Sequence, residues 1–371
     1  MKKLLYPLII SALMFSCKTK LTEPHYVIEG KIVGADSITF ILQKRVSGEF
    51  VRLDSALEVK GEFKIKGGSI KYPDKVYLTL KDKEGSIVFY LENADITIIG
   101  HIDSLENAKV TGSKTQDEFM PYQDSLKPFN ERFSKVDEEY SAAEKAGDKA
   151  KVAEIEKDID EIYTEQIAFE KEFIKNHPAS FVTPSIISSL GYELEAVEVE
   201  TLINALDTTV SNAPISKNLK ARVAIMKTVA IGQKAPDFIL NDVNDKPLPL
   251  SSKIGKSRLL LIDFWASWCG PCRQENSNVV KIYKEYNKKG FDVFGVSLDE
   301  NKEDWVKAIA DDKLTWTQVS DLHYWNNAAT KLYAVNAIPA NFLLDETRTI
   351  IGRNLRGDDL TNKVKEVLGG K

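Results

Sequence analysis

The chain has 371 residues, 43% of them hydrophobic and 28% charged, and a formal net charge of −5. That length holds two or three domains, and the composition is that of ordinary soluble protein. The acidic balance offers no basic surface for nucleic acid, so no nucleic-acid partner is expected. A glycine-rich phosphate loop, an H-E-x-x-H helix and a G-x-S-x-G elbow are all missing, which removes the commonest phosphate-binding, zinc-protease and serine-hydrolase signatures.

At the N-terminus Lys2 and Lys3 precede an apolar run from Leu4 to Phe15. A charged start and a short apolar core make a targeting segment, too short to span a membrane comfortably. The run ends Leu13-Met14-Phe15-Ser16-Cys17, a small residue followed by cysteine, which resembles a bacterial lipoprotein signal. The resemblance implies that residues 1–16 are a signal peptide, that Cys17 carries lipid, and that 17–24 form a tether. The alternative is a plain secretory signal with an incidental cysteine. The chain has three cysteines, Cys17, Cys269 and Cys272, so a lipid on the first leaves an exported protein with one thiol pair and no odd thiol. Lys18-Thr19-Lys20 brings no acidic cluster. A cell-envelope lipoprotein facing the periplasm, on the inner or outer membrane, is therefore expected rather than surface display.

From residue 25 to 112 the period is two. Phe63 and Ile65 alternate with Glu62, Lys64 and Lys66; Val76, Leu78 and Leu80 alternate with Lys75, Tyr77, Thr79 and Lys81. Further strands are expected at Tyr26–Val33, Ile38–Gln43, Ile87–Leu91 and Ile96–Gly100. Breakers such as Gly34-Ala35-Asp36, Ser47-Gly48 and Gly67-Gly68 separate them. Short alternating strands at this spacing predict an antiparallel sandwich or small barrel. No catalytic constellation lies in it; a scaffold is the first reading, with binding, spacing or dimerisation as others.

Residues 113–230 read as helical. Leu126, Phe129, Phe133, Val136, Tyr140 and Ala143 make one seam. After Ala146-Gly147-Asp148 come Val152, Ile155, Ile159, Ile162, Gln166, Phe169 and Phe173, with Gln166 the one polar member. Two such seams predict an antiparallel helical hairpin, the second helix stopping near Asn176-His177-Pro178. Pro128 is expected to start or kink the first helix. Shorter helices are expected at Glu195–Leu206 and Lys217–Lys227. Packing of the seams within one chain is the first reading, and a homodimer through them the alternative.

The last part, 231–371, holds the chemistry. The apolar run Arg258–Trp265 reads as a buried strand, and a helical pattern runs from the cysteines to about Lys288. Between them stands Trp268-Cys269-Gly270-Pro271-Cys272. Two cysteines two residues apart at a strand-to-helix junction make and break one disulfide. Cys269 sits at the helix N-terminus, where free N–H groups stabilise a thiolate, and is the attacking sulfur. Cys272, inside the first turn, is the resolving sulfur. Pro271 is tolerated there because the first turn lacks an N–H acceptor anyway. Half of a zinc site is the alternative, but there is no second cysteine pair and only His323 nearby, so no metal is expected. The Cys269–Cys272 disulfide is the redox group, and no separate cofactor is expected.

Asp263 through Cys272 resembles the active-site stretch of thioredoxins. From Gly232-Gln233-Lys234-Ala235-Pro236-Asp237-Phe238 to the end, the pattern is similar to extracytoplasmic, TlpA-like thioredoxin-fold oxidoreductases. The layout of 25–112 resembles an uncharacterised β-domain that precedes thioredoxin domains in lipoproteins of Bacteroidota-type bacteria. Further elements are expected at Leu259–Phe264, Phe291–Leu298, Ala340–Leu344 and Ile350–Asn354 as strands. Lys302–Ala310, Asn326–Tyr333 and Asp358–Leu368 read as helices, and an added hairpin is centred on Asn241–Lys246. Apolar strands alternating with helices predict a sheet covered on both faces.

The resemblance assigns roles. Asp263 matches the buried aspartate that accepts the resolving cysteine's proton, and an apolar strand suits it by raising its pKa; a structural aspartate is the alternative. Glu275, one turn after Cys272, matches a glutamate that assists proton transfer, although Asn276 and Ser277 depart from the pattern. The alternative is an exposed first-turn acid. Ile338-Pro339 matches the loop facing the disulfide, with a cis proline that frees the preceding backbone for a substrate chain. Ala340 stands where relatives often have threonine. Trp268, with Gly270 and Pro271, offers the docking face, while Trp265 is core and Trp305, Trp316 and Trp325 pack elsewhere.

The predicted chain is thus an N-terminal all-β sandwich or barrel, a central α-helical segment and a C-terminal α/β thioredoxin fold. The predicted activity is thiol:disulfide exchange, as an anchored reductant of protein disulfides. The resemblance implies a membrane thiol electron donor and cytochrome c maturation as one context. The alternatives are a peroxiredoxin-like peroxidase, echoed by Gly232–Phe238 and Val296–Asp299 but lacking Pro-x-x-x-Thr-x-x-Cys, and a partner-binding adaptor.

Overall fold

The computed structural model describes residues 25–46 and 49–369. The signal segment, Cys17 and the tether at 17–24 lie outside the described residues. Among the described residues, no helix is long and apolar enough to cross a membrane.

The N-terminal region contains β1 (Tyr26–Val33), β2 (Thr39–Val46), β3 (Glu49–Leu57), β4 (Glu62–Gly67), β5 (Asp74–Leu80), β6 (Ser86–Leu91), β7 (Asp95–His101) and β8 (Lys109–Thr111). They form two four-stranded sheets, ordered β4-β1-β7-β8 and β3-β2-β5-β6. Each strand with strict alternation buries one face: Ile28 and Ile32 from the first sheet meet Phe40, Leu42, Val76, Leu78 and Phe89 from the second in one core. The Phe40 and Phe63 rings stack across the two sheets with centroids 4.4 Å apart. A Cβ at Gly30 would lie 2.0 Å from the Phe63 ring, so that ring needs a glycine opposite it. The region is a sandwich rather than a barrel.

Two expectations are corrected here. The region is not wholly antiparallel, because β1 and β7 run parallel from Val27↔Asp95 to Val33↔His101. Period-two alternation reports which face is buried and carries nothing about strand direction. Strand β3 went unread because its apolar side chains Phe50, Val51, Leu53 and Leu57 point to solvent, which scrambles the inward pattern.

The central segment opens with α1 (Lys114–Ala146) and α2 (Lys149–Asn176), the expected hairpin. Gly147 takes a left-handed φ of +70 between them, and the Asp148 carboxylate caps α2 by accepting from the Lys151 N–H. The seams face each other within the chain, with Phe129 and Phe169 rings 5.9 Å apart and Phe133 and Tyr163 rings 4.5 Å apart. Gln166 is polar because it donates to Glu170, which also accepts 2.7 Å from the buried Tyr122 hydroxyl. Pro128 does not start α1 but lies inside it. The helix begins at Lys114 and runs through Pro121 and Pro128, its many other backbone bonds and the hairpin contacts outweighing the roughly 3 kcal/mol that an interior proline costs.

Four shorter helices follow: α3 (Thr183–Leu190), α4 (Ala196–Asn204), α5 (Thr208–Ser211) and α6 (Pro214–Thr228). Glu195 and Glu198 form a reciprocal capping box on α4. Helices α3 and α5 were not anticipated. Tyr90 fastens the sandwich to this segment: its N–H donates to Gln116, its hydroxyl lies 2.9 Å from Ser185 Oγ, and its ring meets Phe119 edge-on.

The C-terminal domain contains β9 (Ile239–Asp242), β10 (Pro247–Pro249), β11 (Leu259–Trp265), α7 (Gly270–Tyr286), β12 (Phe291–Ser297), α8 (Lys302–Asp311), β13 (Thr317–Ser320), α9 (Ala328–Leu332), β14 (Ala340–Asp345), β15 (Ile350–Arg353) and α10 (Gly357–Leu368). Its seven-stranded sheet is ordered β10-β9-β13-β12-β11-β14-β15. Every residue of β11 is buried, and β11 pairs parallel with β12 and antiparallel with β14. The added hairpin is β9–β10. Strand β13 was not anticipated. The helix expected from Asn326 starts at Ala328, because Asn327 caps it by accepting from Ala329 and Thr330 N–H groups. The fold class read from the sequence is the one observed.

Candidate active site

The cysteines lie where the fully buried β11 gives way to α7. The intervening loop is held from both sides. Ser267 N–H donates to both Asp299 carboxylate oxygens at 3.2 and 3.1 Å, and Asp299 also accepts from Ser297 Oγ at 2.7 Å. Arg273 donates to the Ser267 carbonyl at 3.2 Å while pairing with Asp312, which the buried Asn276 also contacts at 2.8 Å. Sequence reasoning missed this clamp; the Asp299 and Asp312 carboxylates reach the loop only through tertiary packing.

Cys269 is the N-cap of α7, and its sulfur accepts from the Cys272 N–H at 3.2 Å. The two are joined as a disulfide with Cα atoms 5.2 Å apart. Cys269 is 6% exposed and Cys272 1%, so Cys269 is the less buried of the two. Open space surrounds the position a Cβ would take at Gly270, which leaves room for a substrate backbone beside Cys269. The Ile338-Pro339 bond is cis, and the Ile338 carbonyl oxygen lies 3.8 Å from Cys269 Sγ.

Asp263 is buried near the C-terminal end of β11, the strand that leads to the pair. Burial above all, and the nearby Glu275 second, push its carboxyl up to about 7. Glu275 is only half-buried, not the fully exposed acid of the alternative reading. Burial raises it too, opposed by hydrogen bonds from Asn278 and the Gly357 N–H. The Glu275 charge thus reaches Asp263, the more buried of the two carboxyls. Such a pair can carry a proton between a buried thiol and water.

Trp268 is 47% exposed. Its ring lies 5.2 Å from Tyr324 and 6.3 Å from Trp325. Trp325, read from the sequence as a packing residue outside the motif, packs beside the motif tryptophan. Two more residues were not read from the sequence. Tyr192 of the helical segment donates its hydroxyl to the Pro339 carbonyl at 2.5 Å, and Arg356 donates to the same oxygen at 2.7 Å. The Arg356 guanidinium lies over the Tyr192 ring, 5.4 Å from its centroid. The helical segment therefore touches the loop that faces the disulfide.

Fold and site together define a thioredoxin-fold protein with a Cys269–Cys272 disulfide at the start of α7. Residues 230–368 match the family described as Redoxin, and residues 26–119 match a domain of unknown function, DUF4369. The chain is 30% identical over 142 residues to the thiol-disulfide oxidoreductase ResA of Geobacillus kaustophilus, covering 38% of this chain and 79% of that protein. It is 35% identical over 121 residues to the thioredoxin-like protein YneN of Bacillus subtilis, covering 32% of this chain and 68% of that one. A solved thiol-disulfide oxidoreductase from Bacteroides fragilis is 39% identical, covering 37% of this chain and all of its own, with a TM-score of 0.35. The chain belongs to the thioredoxin-like thiol-disulfide oxidoreductases that include ResA. The N-terminal sandwich is the part that corresponds to DUF4369.

Proposed function

We propose that this oxidoreductase is a lipid-anchored, periplasm-facing reductant of protein disulfides. The observation that carries the chemistry is the Cys269–Cys272 pair at the start of α7, with the Ile338 carbonyl 3.8 Å from Cys269 Sγ and a buried carboxyl, Asp263, on the strand that leads into it. In the dithiol state Cys269 thiolate attacks one sulfur of the substrate disulfide. A Cys269–substrate bond forms, the substrate S–S bond breaks, and the departing thiolate takes a proton. Asp263 accepts the proton of Cys272, whose sulfur then attacks Cys269. The mixed disulfide breaks, the second substrate thiol leaves, and two electrons have passed to the substrate. Glu275 relays the proton of Asp263 to water. Trp268, Gly270, Pro271 and the Ile338-Pro339 backbone hold the substrate chain. A thiol-bearing membrane donor restores the dithiol, and apocytochromes c are one substrate class that suits this chemistry.

The anchor rests on Lys2 to Cys17, and the reducing direction on the Gly270-Pro271 dipeptide between the cysteines. Alkylation trapping in intact cells tests the direction, with the pair expected mainly as two free thiols; a pair held oxidised at steady state would mark an oxidant. Cell fractionation tests the anchor. Cys17→Ala is expected to move the protein from membrane pellet to soluble fraction, and a variant that still pellets contradicts lipidation.

A further inference from the structure

An open groove of about 680 Å³ lies where the sandwich, the helical segment and the C-terminal domain meet. Helix α6 supplies one wall. Leu219, Val223 and Met226 face the helical core, so Ala221, Arg222 and Ile225 turn toward the groove. The opposite wall carries Trp325 and Lys331, and Arg45 at the end of β2 closes one side. Much of this lining lies outside the thioredoxin fold.

Two observations point to its occupant. The first is charge. Arg45, Arg222 and Lys331 line the groove, and no Asp or Glu does among the described residues, in a chain whose net charge is −5. Arg222 hydrogen-bonds the Gly191 carbonyl at 2.9 Å, Asn336 Oδ1 at 2.6 Å and the Ser188 and Ala334 carbonyls at 3.4 Å, all neutral oxygens. A half-buried cation without a carboxylate beside it favours an arriving anion. The second is continuity with the disulfide. Trp325 in the groove packs 6.3 Å from Trp268. Asn336, also in the lining, precedes Ile338 by two residues, roughly 7 Å of chain.

We infer that this groove docks the flank of the protein substrate, an extended segment a few residues from the substrate's disulfide that carries carboxylates beside apolar side chains. The carboxylates meet Arg45, Lys331 and Arg222; the apolar groups cover Ile225 and Trp325. The inference deepens the oxidoreductase reading and rests on Cys269–Cys272 being the exchanging pair. The three-part architecture then has a purpose, since no one part forms the groove alone.

The test uses the full chain with its pair reduced and two synthetic peptides that share one disulfide. One peptide has an Asp/Glu and Leu/Phe flank; the other has lysines in place of the acids. Stopped-flow release of peptide thiol gives kcat/KM for each. The acidic peptide is expected to react about tenfold faster, mainly through KM, with the advantage shrinking as salt rises. In the double variant Arg45→Glu/Lys331→Glu the ratio is expected to invert. A general folding defect lowers both rates together, whereas loss of docking changes their ratio. Equal rates in the unaltered protein, or a preference that survives the double reversal, would overturn the inference. So would a dimer in sedimentation that the double variant converts to monomer, since a second copy would then occupy the groove. Failure of the unaltered protein to reduce hydroxyethyl disulfide would instead strike at the exchange chemistry beneath it.

Discussion

The N-terminal sandwich and the C-terminal sheet solve burial in opposite ways. Strand β1 alternates buried and exposed positions, because one face meets the other sheet and one meets water. Strand β11 is buried throughout, because helices cover both faces of its sheet. The consequence is chemical. A doubly covered sheet can hold a carboxyl such as Asp263 out of water and deliver a thiol pair at the end of its central strand. A sandwich open on one face offers no such interior site. The difference teaches where function can sit in this molecule: reactivity belongs to the layered domain, and the sandwich contributes shape and edge.

That contrast can be broken by mutation. The largest effect is expected at the pair itself. Cys269→Ser should drop disulfide exchange to background in a thiol-release assay. Cys272→Ser should keep the first step and accumulate a mixed disulfide on Cys269, seen by non-reducing mass spectrometry. Exchange surviving in Cys269→Ser would relocate the chemistry.

Next comes the sandwich core. Phe40 is fully buried and stacked on Phe63. Phe40→Ala should cost about 3–5 kcal/mol in denaturant unfolding while hydroxyethyl disulfide is still reduced. Loss of both together would show that the layered domain depends on the sandwich for its fold.

A third test reads the buried carboxyl. Asp263 has its pKa raised from 3.8 to about 7 in the folded chain. The fold therefore favours its protonated form, and the resulting stabilisation is complete below the unfolded pKa and is lost as pH rises through the folded one. Asp263→Asn should gain stability relative to the parent on going from pH 4 to pH 8, on the order of a few kcal/mol, and exchange more slowly because Cys272 loses its proton acceptor. A stability difference independent of pH would contradict the assignment. The smallest effect is expected at the junction. Tyr192→Phe removes one of two donors to the Pro339 carbonyl, and about 1 kcal/mol of stability is expected to go with it.

How much of this was legible follows the same divide. The pair, its strand and its helix are contiguous, so Asp263 to Cys272 could be read directly. Ile338-Pro339 lies far along the chain but carries a family pattern. Tyr192 does not: 147 residues separate it from Pro339, and nothing local marks it. Arg356 precedes a helix, and nothing near it in sequence marks Pro339 as its partner. Nothing in the sequence names Trp268 as the packing partner of Trp325, because the two are distant in sequence. In the sandwich, inward positions were readable wherever one face is apolar, but β3 turns Phe50 and Leu57 outward and was lost. The parallel pairing of β1 with β7 is a property of topology, which side-chain alternation does not encode.

The most direct test of the account is the reduction potential of Cys269–Cys272, measured on the full chain by thiol trapping in defined redox buffers. A reductant is expected near the thioredoxin value of about −270 mV. A value near −120 mV, that of a strong oxidant such as DsbA, would contradict the proposed direction of electron flow.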